Sequence, residues 1–370
     1  MPERRLSAVV LAAGEGSRMR SARPKPLHLL CGRAMVLYVL DALPAPEIDR
    51  AVVVVGHGAE RVTKKLTEDG AGLHLVFVEQ TVQRGTGDAL SVGLTGLADD
   101  DLDDDLDVLV LPGDTPLLRQ ETVATLVAEH RHSGAACTIL TARLDDPTGY
   151  GRIVRAGKDD RVVRIVEHRD ATGEERELDE INTGIFCFRR SLLAPALRRV
   201  TPDNAQGELY LTDVVEVLAG SGHKVVSLVA DDPDETHGIN DRAQLARAEA
   251  ELRRRINHSW LAKGVTMIDP DVTYIDTTVH LAADVTLFPG TILQGRTSIG
   301  AGVEIGPGCR LVDCVVGEHT SLEHTVGRWS EVGPECVVGP YAALEPGSRI
   351  SSGTRTGPFY TALAATAPED

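Results

Sequence analysis

Leu11-Ala-Ala-Gly-Glu-Gly-Ser-Arg-Met-Arg-Ser-Ala-Arg-Pro-Lys25 follows directly on the apolar run Ala8-Val-Val-Leu11. That run is apolar throughout rather than alternating, which reads as a buried strand of a parallel sheet. The segment after it offers two glycines, a hydroxyl and the cations Arg18, Arg23 and Lys25. Small side chains let backbone N–H groups close on a phosphate, and the cations offset its charge. A strand ending in such a loop predicts an α/β sheet with an anion site at its carboxyl edge. Two familiar phosphate loops do not fit. A dinucleotide fingerprint needs a small residue where Met19 stands, and a P-loop needs Gly-Lys-Ser/Thr where Lys25 lies between Pro24 and Pro26. For the Gly14–Gly16 spacing alone, a plain glycine turn is the alternative.

Working outward, apolar runs at Ala51–Val55, His74–Val78 and Val108–Leu111 repeat the strand signal. Amphipathic stretches such as Met35–Leu43 and Thr122–Arg131 separate strand runs. The alternation predicts a doubly wound, Rossmann-like α/β domain over residues 1–240. Ligands in such sheets lie at the carboxyl ends of the strands, where the loops of Gly14 and Asp114 fall. Seven aspartates between Asp99 and Asp107 read as a solvated loop before a strand. Asp241–Leu261 predicts one helix within a connector over 241–263. Asp241 is the expected N-cap, Leu245, Ala248, Leu252 and Ile256 form the apolar stripe, and Gly264 ends it.

From residue 264 the pattern changes. Val326-Gly327, Val332-Gly333, Val338-Gly339, Leu344 and Ile350 recur every six residues. Ile299-Gly300, Ile305-Gly306 and Leu311 keep the same step, as do Val279 and Val285. This predicts a parallel β-helix of hexapeptide repeats over 264–357, roughly five coils with one aliphatic side chain per hexapeptide inside a prism. The tail, 358–370, breaks the repeat.

The chain has 370 residues and a net charge of −17, which argues against general nucleic-acid binding and against an anionic membrane surface. Aromatic residues are only 4%, so an aliphatic core is expected. Cys31, Cys137, Cys187, Cys309, Cys314 and Cys336 form no C-x-x-C and no zinc spacing; they are expected to be reduced and packed inside. The N-terminal apolar run is too short for a signal peptide, and no stretch approaches a membrane span. These properties lead us to expect a soluble, cytoplasmic protein.

Several motifs follow the glycine loop. They are Gln80-Thr-Val-Gln83-Arg-Gly85-Thr86-Gly-Asp-Ala, Leu111-Pro-Gly-Asp114-Thr-Pro-Leu, Gly149-Tyr-Gly151-Arg-Ile, Ile165-Val-Glu167-His, Glu180-Ile-Asn182-Thr-Gly, Asn204-Ala-Gln-Gly-Glu-Leu-Tyr-Leu-Thr-Asp213 and Gly238-Ile-Asn240-Asp. The glycine loop resembles that of sugar-1-phosphate nucleotidyltransferases. In order and wording the set resembles the uridyltransferase half of the bifunctional N-acetylglucosamine-1-phosphate uridyltransferase/glucosamine-1-phosphate acetyltransferase family, over about the first 350 residues. The resemblance implies Mg²⁺-dependent uridylyl transfer from UTP to N-acetylglucosamine 1-phosphate, and a left-handed β-helix. It implies that Leu11, Ala12, Ala13 and Gly14 hold the nucleotide through backbone groups, and that Arg18 and Lys25 hold the triphosphate. Gln80, Gln83, Gly85 and Thr86 would read uracil and ribose. Asp114 and Asn240 would bind Mg²⁺, and Gly151, Glu167, Asn182 and Thr212 the sugar phosphate. Arg18, Lys25 and Asp114 would carry the catalysis.

The residue types suit that chemistry. A sugar 1-phosphate is largely ionised near neutrality and needs no general base; the task is to align two anions. A hard divalent ion favours oxygen donors, which Asp114 and Asn240 offer. Taken singly, Asp114 could be a turn former and Asn240 a helix cap.

Two departures from the family pattern stand out. His168 follows Glu167 where the family usually has Gln, and is expected to be an exposed substitution, with altered sugar-phosphate acceptance as the alternative. Glu345, in Tyr341-Ala-Ala-Leu-Glu345-Pro-Gly, stands where the acetyltransferase half has a sugar-binding arginine. That family's later catalytic coils have no counterpart before Asp370, and His319 and His324 do not fit its motif. We therefore expect no acetyl transfer, and a β-helix serving a homotrimer by resemblance. Another hexose 1-phosphate, dTTP in place of UTP, or a non-catalytic sugar-nucleotide-binding scaffold stay open as alternatives.

Overall fold

The computed structural model describes residues 5–70, 72–97, 106–157 and 161–364. Most of the aspartate-rich segment, 99–105, lies outside them, as does the tail from 365. The described residues fall into two compact units, those within Met1–His28 and Ala34–Leu245 and those within Leu29–Arg33 and Ala246–Asp370.

A nine-stranded sheet organises the first unit. Its main path runs Val225–Val229, Cys137–Arg143, Glu180–Arg189, Leu106–Pro112, Arg5–Ala12, Ile48–Val55 and Leu75–Glu79. Arg5–Ala12 is parallel to both neighbours, and Ile48–Val55 is parallel to Leu75–Glu79. Glu180–Arg189 runs antiparallel to Leu106–Pro112 and Cys137–Arg143, so the sheet is mixed, not purely parallel. Both faces are covered, which explains the unbroken apolar runs. Ala8 and Val10 enter one hydrophobic cluster while Val9, between them, enters the other. Each fully buried valine contributes about 1.5–3 kcal/mol relative to an exposed one.

The carboxyl ends of four parallel strands line up. Ala12 pairs with Val55, Val55 with Glu79, and Leu11 with Pro112. Backbone bonds continue this register into the loops, Gly113 N–H donating to Leu11 O at 2.8 Å and Gln80 N–H to Val55 O at 2.8 Å.

A helix spans Arg242–Ala262, and Asp241 Oδ1 accepts from Gln244 N–H at 2.8 Å as its cap. Asn240 is therefore not the cap; its own N–H donates to Gln244 Oε1 at 2.6 Å. Beyond it, short strands stack into three parallel sheets of five, six and five strands, a three-sided β-helix. Val279, Val285, Ile299, Ile305, Leu311, Val332, Val338, Leu344 and Ile350 are all buried, as the six-residue step predicts.

Val326 departs from that step, being 50% exposed. In its strand, Val326–Arg328, the middle residue Gly327 faces inward: a Cβ there would meet Cys314 Sγ and Leu311 Cδ2 at 3.3 Å each. The cause is coil length. Thr286 pairs with Glu304 eighteen positions on, Glu304 with Ser321 seventeen on, and Ser321 with Val337 sixteen on. The shortened coils move the inward position by one residue. All six cysteines are buried and unbridged.

Candidate active site

A cavity of about 360 Å³ opens at the carboxyl ends of the parallel strands in the first unit. Leu11, Ala12, Ala13 and Gly14 form one wall, Gln80, Gln83, Gly85 and Thr86 another, with Lys25 and Asp114 beside Glu167, Asn182 and Thr212. The sequence-predicted residues thus converge from six separate segments, while Arg18, Gly151 and Asn240 are not in the cavity wall.

Gly16 shapes the loop. Its φ of 64° is left-handed, and a Cβ would sit 2.7 Å from Lys25 Cβ. Glycine therefore lets Lys25 lie against the loop, flanked by Pro24 and Pro26. The Lys25 ammonium forms an ion pair with Asp114 Oδ2 and donates to Asn240 Oδ1 at 2.9 Å. The Lys25 and Asp114 side chains are only 13% and 23% exposed, so the pair is held in a partly dried setting. The Asp114 backbone is tied to the same segment, Ile239 N–H donating to Asp114 O at 2.9 Å. One carboxylate oxygen and one carboxamide oxygen thus converge on a single cation. That donor set, two hard oxygens aimed at one point, fits a Mg²⁺ ion completed by phosphate oxygens and water.

The opposite wall is stitched by backbone. Leu209 N–H donates to Arg84 O and Gly87 N–H to Leu209 O, each at 2.8 Å, and Leu211 N–H donates to Thr86 Oγ1 at 3.0 Å. Gly85 has φ 109°, and a Cβ would lie 2.5 Å from Leu209 O. Gln83 Nε2 reaches back to Ala13 O at 2.8 Å, closing the loop over the strand end. Gln80 is buried, and its Nε2 donates to Asp88 Oδ2 at 2.8 Å and Gly85 O at 3.3 Å. Its amide donors thus brace the wall, which leaves only its carbonyl oxygen to a ligand.

Thr212 Oγ1 donates to Glu167 Oε1 at 3.0 Å. Burial pushes the Glu167 carboxyl above its ordinary range, with Asp170 adding to it and the Thr212 bond opposing. Burial, then Glu216, Glu167 and Asp170, push neighbouring Asp213 up to about 6. Asn182 Oδ1 accepts from Gly184 N–H at 3.1 Å, so its amide N–H groups are what it can offer a ligand. Gly151 sits behind this group: its carbonyl accepts from Asn182 N–H at 2.9 Å, and a Cβ would lie 3.5 Å from Glu167 Oε2.

Arg18 is exposed in the short 3₁₀ turn Ser17–Met19. That turn is anchored by Arg242, whose Nε donates to Met19 O at 3.1 Å. His168 is half-buried, not exposed, with Nδ1 shielded from solvent. Phe186, Glu208 and Leu211 also line the cavity and were not foreseen. Phe186 lies on the reversed strand, whose place in the sheet no local pattern reveals. Tyr150 was missed as well; its hydroxyl is pushed up by burial and by the Asp114 charge.

A glycine loop and a carboxylate turn at the strand ends of one cavity define a nucleotidyltransferase. The family model for the MobA-like NTP transferase domain matches residues 8–214. The bifunctional protein GlmU of Streptomyces coelicolor is 46% identical over 358 residues, covering 96% of this chain and 73% of that protein. GlmU of Desulfitobacterium hafniense is 43% identical over 353 residues, covering 95% and 75%. GlmU of Halalkalibacterium halodurans is 42% identical over 358 residues, with the same coverage of 95% and 75%. The chain belongs to the GlmU family. It is a sugar-1-phosphate nucleotidyltransferase of the UDP-N-acetylglucosamine diphosphorylase type, taking a nucleoside triphosphate and a sugar phosphate. No helix among the described residues is long and apolar enough to cross a membrane.

Proposed function

We propose that this chain transfers the uridylyl group of UTP to N-acetylglucosamine 1-phosphate, releasing pyrophosphate, with Mg²⁺ held by Asp114 and Asn240. The observation that carries the reading is the convergence of Asp114 Oδ2 and Asn240 Oδ1 on one cation beside the glycine loop. When bound, Mg²⁺ supplies charge neutralisation between the two phosphate groups and on the departing pyrophosphate. The Leu11–Gly14 backbone and the Gln80–Thr86 wall hold the nucleotide; Gln80 and Gln83 act as much by bracing that wall as by touching the base. Lys25 and Arg18 offset triphosphate charge, Arg18 from its exposed turn. Glu167, Asn182 and Thr212, supported by Gly151, orient the sugar. The sugar phosphate attacks as the anion it already is, so in-line alignment is the contribution of these residues.

Pyrophosphate release across a matrix of nucleoside triphosphates and sugar 1-phosphates tests the reading. UTP with N-acetylglucosamine 1-phosphate is expected to give the highest kcat/KM. A preference of tenfold or more for another hexose phosphate or for dTTP would replace this pair. Retained binding with no release from any pair would instead make the chain a scaffold. We also propose that the β-helix unit serves homotrimer formation and performs no acetyl transfer. The exposed carboxylate of Glu345 opposes a phosphate at that face. Light scattering and an acetyl-CoA assay with glucosamine 1-phosphate check both statements; a monomer, or robust acetylation, overturns them.

A further inference from the structure

Lys25 holds the two oxygens that the proposed reading gives to a metal. Its ammonium pairs with Asp114 Oδ2 and donates to Asn240 Oδ1 at 2.9 Å. A Mg²⁺ ion needs those lone pairs at about 2.0–2.1 Å. An ammonium and a divalent cation cannot occupy one point, and their repulsion is strong where solvent is scarce. The two must exchange. Lys25 is fixed at its backbone by flanking prolines, and its stem lies against Gly16. Departure of its ammonium is therefore a side-chain swing, and the stem already lies along the loop proposed to take the triphosphate.

We propose that Lys25 is an internal placeholder cation: it occupies the Asp114–Asn240 site until a nucleoside triphosphate draws its ammonium away, so metal and nucleotide enter as a coupled pair. Free metal then meets a site already filled by a positive charge. A triphosphate removes that competitor and adds its own oxygens. Linkage makes the coupling reciprocal, so metal also tightens nucleotide binding. This rests on the reading of Asp114 and Asn240 as metal ligands.

The test is direct metal binding by the full chain, read by Mn²⁺ electron paramagnetic resonance, without turnover. Wild type is expected to bind free Mn²⁺ weakly, and much more tightly with a non-hydrolysable UTP analogue. Lys25→Met removes the placeholder. It should tighten free Mn²⁺ at least about tenfold, since hydrogen bonds to charged groups are of that order. It should also shrink the analogue's enhancement of Mn²⁺ affinity. Asp114→Asn should weaken Mn²⁺ binding in both settings. Circular dichroism melting of each variant confirms the fold, and Lys25→Gln repeats the test if Lys25→Met melts early. Unchanged or weaker free Mn²⁺ binding in folded Lys25 variants, with Asp114→Asn still losing metal, overturns the exchange and leaves the metal site standing. Unchanged Mn²⁺ binding in Asp114→Asn removes the metal site and the exchange together.

Discussion

Left-handed backbone occurs in both units, for different physical reasons. In the sheet unit, Arg20 apart, it sits at glycines, and at two of them the absent side chain makes room: Gly16 against Lys25 and Gly85 against Leu209 O. In the β-helix it sits at glycines too, Gly295 and Gly339 among them, but also at many full side chains, including Asp284, Asp313, His319, His324, Trp329, Glu335, Tyr341 and Phe359. Most of these corners are anchored by a backbone bond to the preceding coil, as in His319 N–H to Ala301 O at 2.9 Å and Glu335 N–H to Glu318 O at 2.9 Å. Three corners also stack their rings, with His324–Tyr341 centroids 5.0 Å apart and Tyr341–Phe359 5.3 Å apart. A left-handed residue costs roughly 1–2 kcal/mol without glycine. The repeat absorbs that cost through coil-to-coil bonds. In the reactive loops the requirement is close approach, which only glycine meets; the β-helix combines both requirements.

The candidate active site lies in the sheet unit, so the largest effect belongs there. Asp114→Ala should lower kcat/KM for pyrophosphate release at least about 10²-fold, the scale for losing a group that stabilises developing charge. An activity within threefold of wild type would detach catalysis from that turn. Next comes Gly85→Ala. A Cβ 2.5 Å from a backbone oxygen cannot be relieved by a rotamer change. Destabilisation of about 2 kcal/mol or more, with a raised nucleotide KM, is expected in denaturant melts and steady-state kinetics.

A smaller effect concerns Asp213, whose carboxyl is raised to about 6 by burial first and by neighbouring carboxylates after. The native state then holds a proton that the unfolded chain has released between about pH 4 and 6, so stability falls as pH rises through that window. Asp213→Asn should flatten this part of the Tm–pH profile and raise stability at neutral pH by roughly 1 kcal/mol, after solvent screening of a half-buried group. An unchanged slope would assign the titration elsewhere. The smallest effect is expected at a corner. His319→Gly exchanges relief of left-handed cost against added chain entropy and should change stability by less than about 1 kcal/mol. If it matches Gly85→Ala in thermal melts, the contrast between the two kinds of left-handed position fails.

Both architectures were legible from local pattern. The β-helix could be read because one aliphatic residue in six must face the prism, and the parallel strands because both sheet faces are covered. What escaped depended on distant partners. Val326 carries the same apolar signal as Val332, yet a shortened step between inward Gly327 and inward Val332 turns it outward. Glu180–Arg189 reverses direction between two strands that are far from it in the chain. At the site, motif order brought Asp114, Lys25 and Asn240 into one expectation. No local feature of Gln80 foretold that its amide would bind Asp88 and Gly85. Arg242 and Tyr150 carry no signal of their own, since each is defined by a neighbour distant in the chain, Met19 for Arg242 and Asp114 for Tyr150.

Residues 84–87 and 209–211 are joined by three hydrogen bonds, and Thr212 follows immediately. The surface proposed to grip the base and the surface proposed to grip the sugar therefore move as one plate. A displacement of one ligand cannot be isolated from the other's seat. Selectivity for the acceptor is consequently open to change by substitutions on the donor's side of the pocket, at positions that never meet the hexose.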